Sequence, residues 1–138
     1  RSLAVASTTV TDASILLVAD RCRRLRMLNV SSTDGSVSDS SITRVAKTCP
    51  KLEHLYVAYT AGRVSDAAIA AVAAGCALLS YLNVSGTDGA VTDAAIQAVV
   101  DRCPYMHWLN VSDTQGAVTE PLLRRMKLEH PGIAIIDF

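Results

Sequence analysis

The sequence predicts a curved α/β solenoid of about five 27-residue units, each a strand, a turn and a helix. Three observations predict it. Val-Ser/Thr-Asp/Glu recurs as Val10-Thr11-Asp12, Val37-Ser38-Asp39, Val64-Ser65-Asp66, Val91-Thr92-Asp93 and Val118-Thr119-Glu120. Cys22, Cys49, Cys76 and Cys103 keep the same step, and so do Gly35, Gly62, Gly89 and Gly116. No insertion interrupts this register. A constant period of this size means that each unit buries its apolar edge only against its neighbours. Such folds present a long surface and seldom do chemistry.

The elements follow in order. Leu3 stands at the last core position of a first strand, and the first turn carries Thr8 where later turns carry Gly. The first helix buries Ile15-Val18-Ala19-Cys22, spaced i, i+3, i+4, i+7 along one face. The second strand has Leu25-Leu28-Val30 as its core. Helix faces Ile42-Val45-Ala46-Cys49, Ile69-Val72-Ala73-Cys76 and Ile96-Val99-Val100-Cys103 then alternate with strand cores Leu52-Leu55-Val57, Leu79-Leu82-Val84 and Met106-Leu109. Between strand and helix runs a string of turn formers such as Ser85-Gly86-Thr87-Asp88-Gly89-Ala90, with Gly89 at a point that needs a positive φ. Thr92 can cap its helix, and Asp93 favours the positive helix end. In the last unit Pro121 enters the helix start, His130 replaces Cys, and Ile133, Ile136 and Phe138 rebuild a strand. A helix is wider than a strand, so strands line the concave side and helices the convex side.

The pattern Cys-Pro-x-Leu/Met-x-x-Leu-x-Val, as in Cys49 to Val57 and Cys103 to Val111, resembles a leucine-rich repeat of the cysteine-containing subfamily. The Val-Ser/Thr-Asp-x-x-Ile helix entry carries the same resemblance, which covers nearly the whole chain. It implies a right-handed β–α superhelix. It also implies the company of F-box substrate receptors of ubiquitin ligases and of related intracellular and ciliary scaffolds. The unit departs from the family in having 27 residues where about 26 is usual. At the family's ladder position stand Thr33, Thr60, Thr87 and Thr114, expected to bond the neighbouring coil's backbone.

Composition excludes several functions. The 138 residues suit one domain, and 13 Lys+Arg balance 13 Asp+Glu. That balance argues against a nucleic-acid or membrane-surface partner. No apolar stretch is long enough for a membrane span. The start Arg1-Ser2-Leu3 lacks an initiator Met and a signal-peptide pattern, so residues 1–138 read as a segment of a longer protein. Further repeats or end-to-end contacts at both termini follow from that reading. The cysteines sit on apolar helix faces without a CxxC or CxxxH pair, which favours buried reduced thiols over metal ligands or disulfides. Free thiols suit a cytoplasmic, reducing location. That location argues against glycans on the Asn-x-Ser triplets at Asn29, Asn83 and Asn110. His54, His107 and His130 have no nucleophile with an orienting third group beside them, so no enzyme, cofactor or metal is expected. Arg21, Arg23, Arg24 and Arg26 read as cations at a helix C-terminus.

The candidate site is the concave face. Strand alternation turns residues 27, 29 and 31 outward, and the period makes columns of them. Met27, His54, Tyr81 and Trp108 form the first, and Asn29, Tyr56, Asn83 and Asn110 the second. Ser31, Ala58, Ser85 and Ser112 form the third; Ser32, Tyr59, Gly86 and Asp113 lie at the strand's edge. Four of six aromatic residues thus fall on or beside one face, while the core is aliphatic. Aromatics concentrate at binding hot spots, though stacking along the sheet would use them equally. The expected function is a scaffold binding a protein partner there. Alternatives are the substrate-recognition region of an F-box-type ubiquitin ligase receptor and an architectural segment of a cytoskeletal or ciliary assembly.

Overall fold

The computed structural model describes residues 1–4 and 9–138, so the Thr8 expectation lies outside the described residues. Strands β1 (Ser2–Ala4), β2 (Met27–Asn29), β3 (His54–Tyr56), β4 (Tyr81–Asn83), β5 (Trp108–Asn110) and β6 (Ala134–Ile136) form one sheet in chain order. Every neighbouring pair is parallel. Helices α1 (Asp12–Arg21), α2 (Asp39–Thr48), α3 (Asp66–Gly75), α4 (Asp93–Arg102) and α5 (Glu120–Glu129) alternate with the strands. The fold is the expected α/β repeat solenoid. Leu28, Leu55, Leu82 and Leu109 form a fully buried row under the sheet, packed against Ile15, Ile42, Ile69 and Ile96 of the helices.

The period holds in the middle and slips at both ends. Met27, His54, Tyr81 and Trp108 pair in register. Leu3, however, pairs with Leu28, the central core position rather than the last. Ile135 pairs with Leu109, so Ile133 and Ile135 face the core while Ile136 joins the outward column of Asn110. Phe138 is 91% exposed and is no part of the strand core. A one-residue slip reverses which face a strand side chain takes, and that overturned the expected Ile136–Phe138 pattern.

Two ladders tie coil to coil, and neither uses Thr33, Thr60, Thr87 or Thr114. Asp12, Asp39, Asp66 and Asp93 each open a helix and accept two bonds from the next coil's cap. The amides of Ser38, Ser65, Thr92 and Thr119 donate at 2.7–2.8 Å. Their hydroxyls donate at 2.5–2.6 Å. Ser38, Ser65 and Thr92 also cap their own helices. On the opposite edge the Cys49, Cys76 and Cys103 thiols lie 3.5, 3.6 and 3.7 Å from the carbonyl oxygens of Cys22, Cys49 and Cys76. The expected threonine ladder is corrected. Thr87 and Thr114 donate at 3.0 Å to Val84 and Val111 of their own coil. The buried hydroxyls of Thr33 and Thr60 have no partner among the described residues.

Each ladder yields a prediction. Burial works against the ionised Asp12 carboxyl, but bonds from the Ser38 hydroxyl, Ser41 and the Ser38 amide, with the charge of Arg63, hold it below its ordinary value. A lowered folded value means stability that is present at neutral pH and lost as pH falls through it. Asp12→Asn is therefore expected to be less stable than the parent at pH 7, with the gap closing in acid. Urea midpoints across pH check this; a gap that stays constant refutes it. Burial also pushes up the thiols of Cys49, of Cys76 to about 12 and of Cys103 to about 11. Cys22 is half-buried, so a thiol reagent at neutral pH should modify Cys22 first and the others only after unfolding. Fast labelling of Cys76 in the folded protein would contradict that order.

Candidate functional site

The candidate residues gather on the sheet face turned away from the helices. Parallel pairing sets Met27, His54, Tyr81 and Trp108 side by side, and Asn29, Tyr56, Asn83 and Asn110 beside them. All eight are half-buried. Leu28, Leu55, Leu82 and Leu109 alternate between them and point into the core, which fixes the columns outward. Neither column carries an Asp, Glu, Lys or Arg.

Four rings make one connected cluster. His54 stacks on Tyr81 with centroids 4.4 Å apart and planes 4° from parallel. Tyr81 is tilted 32° to Trp108 at 6.4 Å, and Tyr56 meets the same indole at 6.4 Å and 51°. Tyr56 returns to His54 at 6.5 Å. These separations are those of favourable aromatic pairs, each contributing roughly 0.5–1.5 kcal/mol. The rings pack on one another along and across the strands and remain partly open to solvent. Met27 belongs to the column but not to the ring cluster.

The second column is pinned by its own serines. Asn29, Asn83 and Asn110 accept through Oδ1 from the amides of Ser31, Ser85 and Ser112 at 2.9–3.0 Å. The Ser85 and Ser112 hydroxyls donate to the same Asn83 and Asn110 oxygens at 2.8 and 2.7 Å. The recurring Asn-x-Ser triplet is therefore a local turn device. The third column is not at the surface: Ala58, Ser85 and Ser112 are buried, and only Ser31 is half open. Strands of three residues end before that position, and the chain is already turning inward there.

At the sheet edge Tyr59 and Asp113 form a clasp across three coils. The Tyr59 hydroxyl donates to the Asp113 carboxylate at 3.2 Å. That hydrogen bond, and then the Asp113 charge, push the Tyr59 hydroxyl above its ordinary value. Both residues, and Ser32 in the same register, take positive φ. Gly86 occupies this register between them, and its Cα lies under the Tyr59 ring; a Cβ there would overlap ring atoms Cδ1 and Cε1. The sequence reading placed the serines in an outward column and Gly86 in the edge register; their roles, holding the asparagines and making room for the Tyr59 ring, appear only in the structure.

Outside this face, Arg26 pairs with Glu53 at 3.6 Å on the exposed edge where each strand begins. Among the described residues, no three His, Cys, Asp or Glu side chains group to hold a metal ion. No described helix is long and apolar enough to cross a membrane.

No family model matches the sequence, and no curated protein matches it. Among solved structures it is similar to a chain in the crystal structure of the Rad7 and Elc1 complex from yeast, with a TM-score of 0.76 at 20% identity. The match covers 99% of this chain and 32% of that one, so this chain spans about a third of its neighbour's length. At that identity the likeness speaks for the fold, a leucine-rich-repeat-like solenoid.

Proposed function

We propose that this protein is an interaction scaffold that binds a protein partner through the helix-free, concave face of its sheet. The contact residues are Met27, Asn29, His54, Tyr56, Tyr59, Tyr81, Asn83, Trp108, Asn110 and Asp113. One observation carries the reading: the His54–Tyr81–Trp108–Tyr56 cluster is packed in advance yet half exposed. A partner that covers it gains apolar burial without ordering any loop, which keeps the entropic cost of binding low. The mechanism is recognition and needs no cofactor. The test is loss of the partner when Trp108 and Tyr81 become alanine in a chain that stays folded.

The similarity to a chain of the Rad7 and Elc1 complex favours one narrower reading. In it, this face selects the substrate of an F-box-type ubiquitin ligase receptor in the cytoplasm. Co-purification of the full-length protein with a cullin adaptor supports that reading; its repeated absence, with the concave partner retained, removes it.

A further inference from the structure

We infer that the partner presents to this face an extended, uncharged polypeptide segment, whose main-chain carbonyl oxygens accept from Asn83 and Asn110 beside an apolar side chain on Tyr81 and Trp108. The inference rests on the reading of this face as the binding surface and adds its chemistry.

The argument begins with the direction of the asparagines. A backbone N–H must meet an acceptor, so the Ser85 and Ser112 amides force Oδ1 of Asn83 and Asn110 toward themselves. Each Oδ1 accepts a second bond from the same serine's hydroxyl. What remains is the Nδ2 group, which only donates and has no protein partner among the described residues. Asn83 and Asn110 are in register on adjacent strands, whose backbones run about 4.8 Å apart, so their amides are neighbours on the face. The face offers paired donors and asks for acceptors.

Charge then decides which acceptors. The two columns hold no Lys or Arg to balance a carboxylate or phosphate, and the nearby edge carries the Asp113 carboxylate. A neutral acceptor fits, and a peptide carbonyl has two lone pairs, enough for both amides. Within a helix the carbonyls point along the axis and each already accepts one bond, whereas an extended segment turns its carbonyls sideways toward the two amides, so an extended segment fits the pair best. Trp108 and Tyr81 flank the pair in the neighbouring column and supply the apolar contact.

The test selects random peptides displayed on phage against the purified protein, then measures the winners by titration. Expected winners carry an aromatic or aliphatic residue, show no enrichment in Asp or Glu, and bind almost independently of salt. Asn83→Asp keeps the acceptor for Ser85 and replaces the donor by a carboxylate oxygen. It should weaken winners by at least about tenfold with an unchanged thermal midpoint, and Asn110→Asp likewise. In spectra of labelled protein, the Asn83 and Asn110 side-chain NH2 resonances should shift on titration. Loss of binding in Trp108→Ala with full binding in both Asp variants would overturn the donor pair and leave the binding face standing. Acidic winners with strong salt dependence, or no winners, would also overturn it.

Discussion

Replacing Trp108 and Tyr81 together by alanine is expected to weaken partner binding by at least about thirtyfold while the solenoid stays folded. A buried aromatic hot spot is worth on the order of 2 kcal/mol, which is about thirtyfold in affinity. The two rings touch, so their contributions will not add, and the double variant falls between one and two such steps. The folding cost is smaller. Both side chains are half exposed on the sheet surface, and their loss opens no cavity among the fully buried leucines beneath. The change should appear mainly in the dissociation rate. Tyr105→Ala is the matching control, because Tyr105 is exposed and lies outside both columns. Equal affinity in the double variant and the parent, with circular dichroism unchanged, would remove the concave face as the site.

The middle of the fold was legible because repetition averages out local ambiguity. Three successive copies of Leu-x-x-Leu-x-Val, at Leu25, Leu52 and Leu79, leave one strand phase that buries every leucine, and the columns follow from it. The ends were not legible by the same means. Leu3 and Ile135 have a copy on one side only, and extending the period by 27 put the first strand two residues out of register, with Leu3 still facing the core, and the last strand one residue out, with its faces exchanged. The cross-coil ladders were half seen. Asp66 reads locally as an acid at a helix start; its bonds to Thr92 join residues 26 apart, a distance that no local pattern reports. The threonines invited a ladder reading because they recur, yet a hydroxyl can close on its own coil, as Thr87 does on Val84. The aromatic columns were legible from alternation. Their grouping was not, because Tyr56 leans across a strand to reach Trp108, and rotamers are set by neighbours rather than by spacing.

Gly75→Val is expected to destabilise the protein by about 2–3 kcal/mol, against what helix propensity alone implies for a glycine. Gly75 ends α3, where glycine is less favourable than alanine by at most about 1 kcal/mol. On that term alone Gly75→Ala would stabilise. Packing opposes it. A Cβ at this position would run into the Ala46 carbonyl oxygen of α2, with the carbonyl carbon 3.0 Å away. Both obstacles are backbone, which cannot rotate aside as a side chain can. Relief requires α3 to move off α2, and that separation loosens Val45 and Ala46 against Val72 and Ala73, all buried. It also pulls the Cys76 thiol from Ala46 and Cys49, its acceptors in the preceding coil. In a solenoid each coil is held only by its neighbours, so a weakened second–third interface is not compensated elsewhere. Gly75→Ala should lower the urea midpoint modestly, and Gly75→Val, with a larger side chain and poorer propensity, should lower it further. A midpoint raised by alanine would show that α2 and α3 can part at little cost, and that Gly75 is a propensity defect rather than the contact that lets the two helices close.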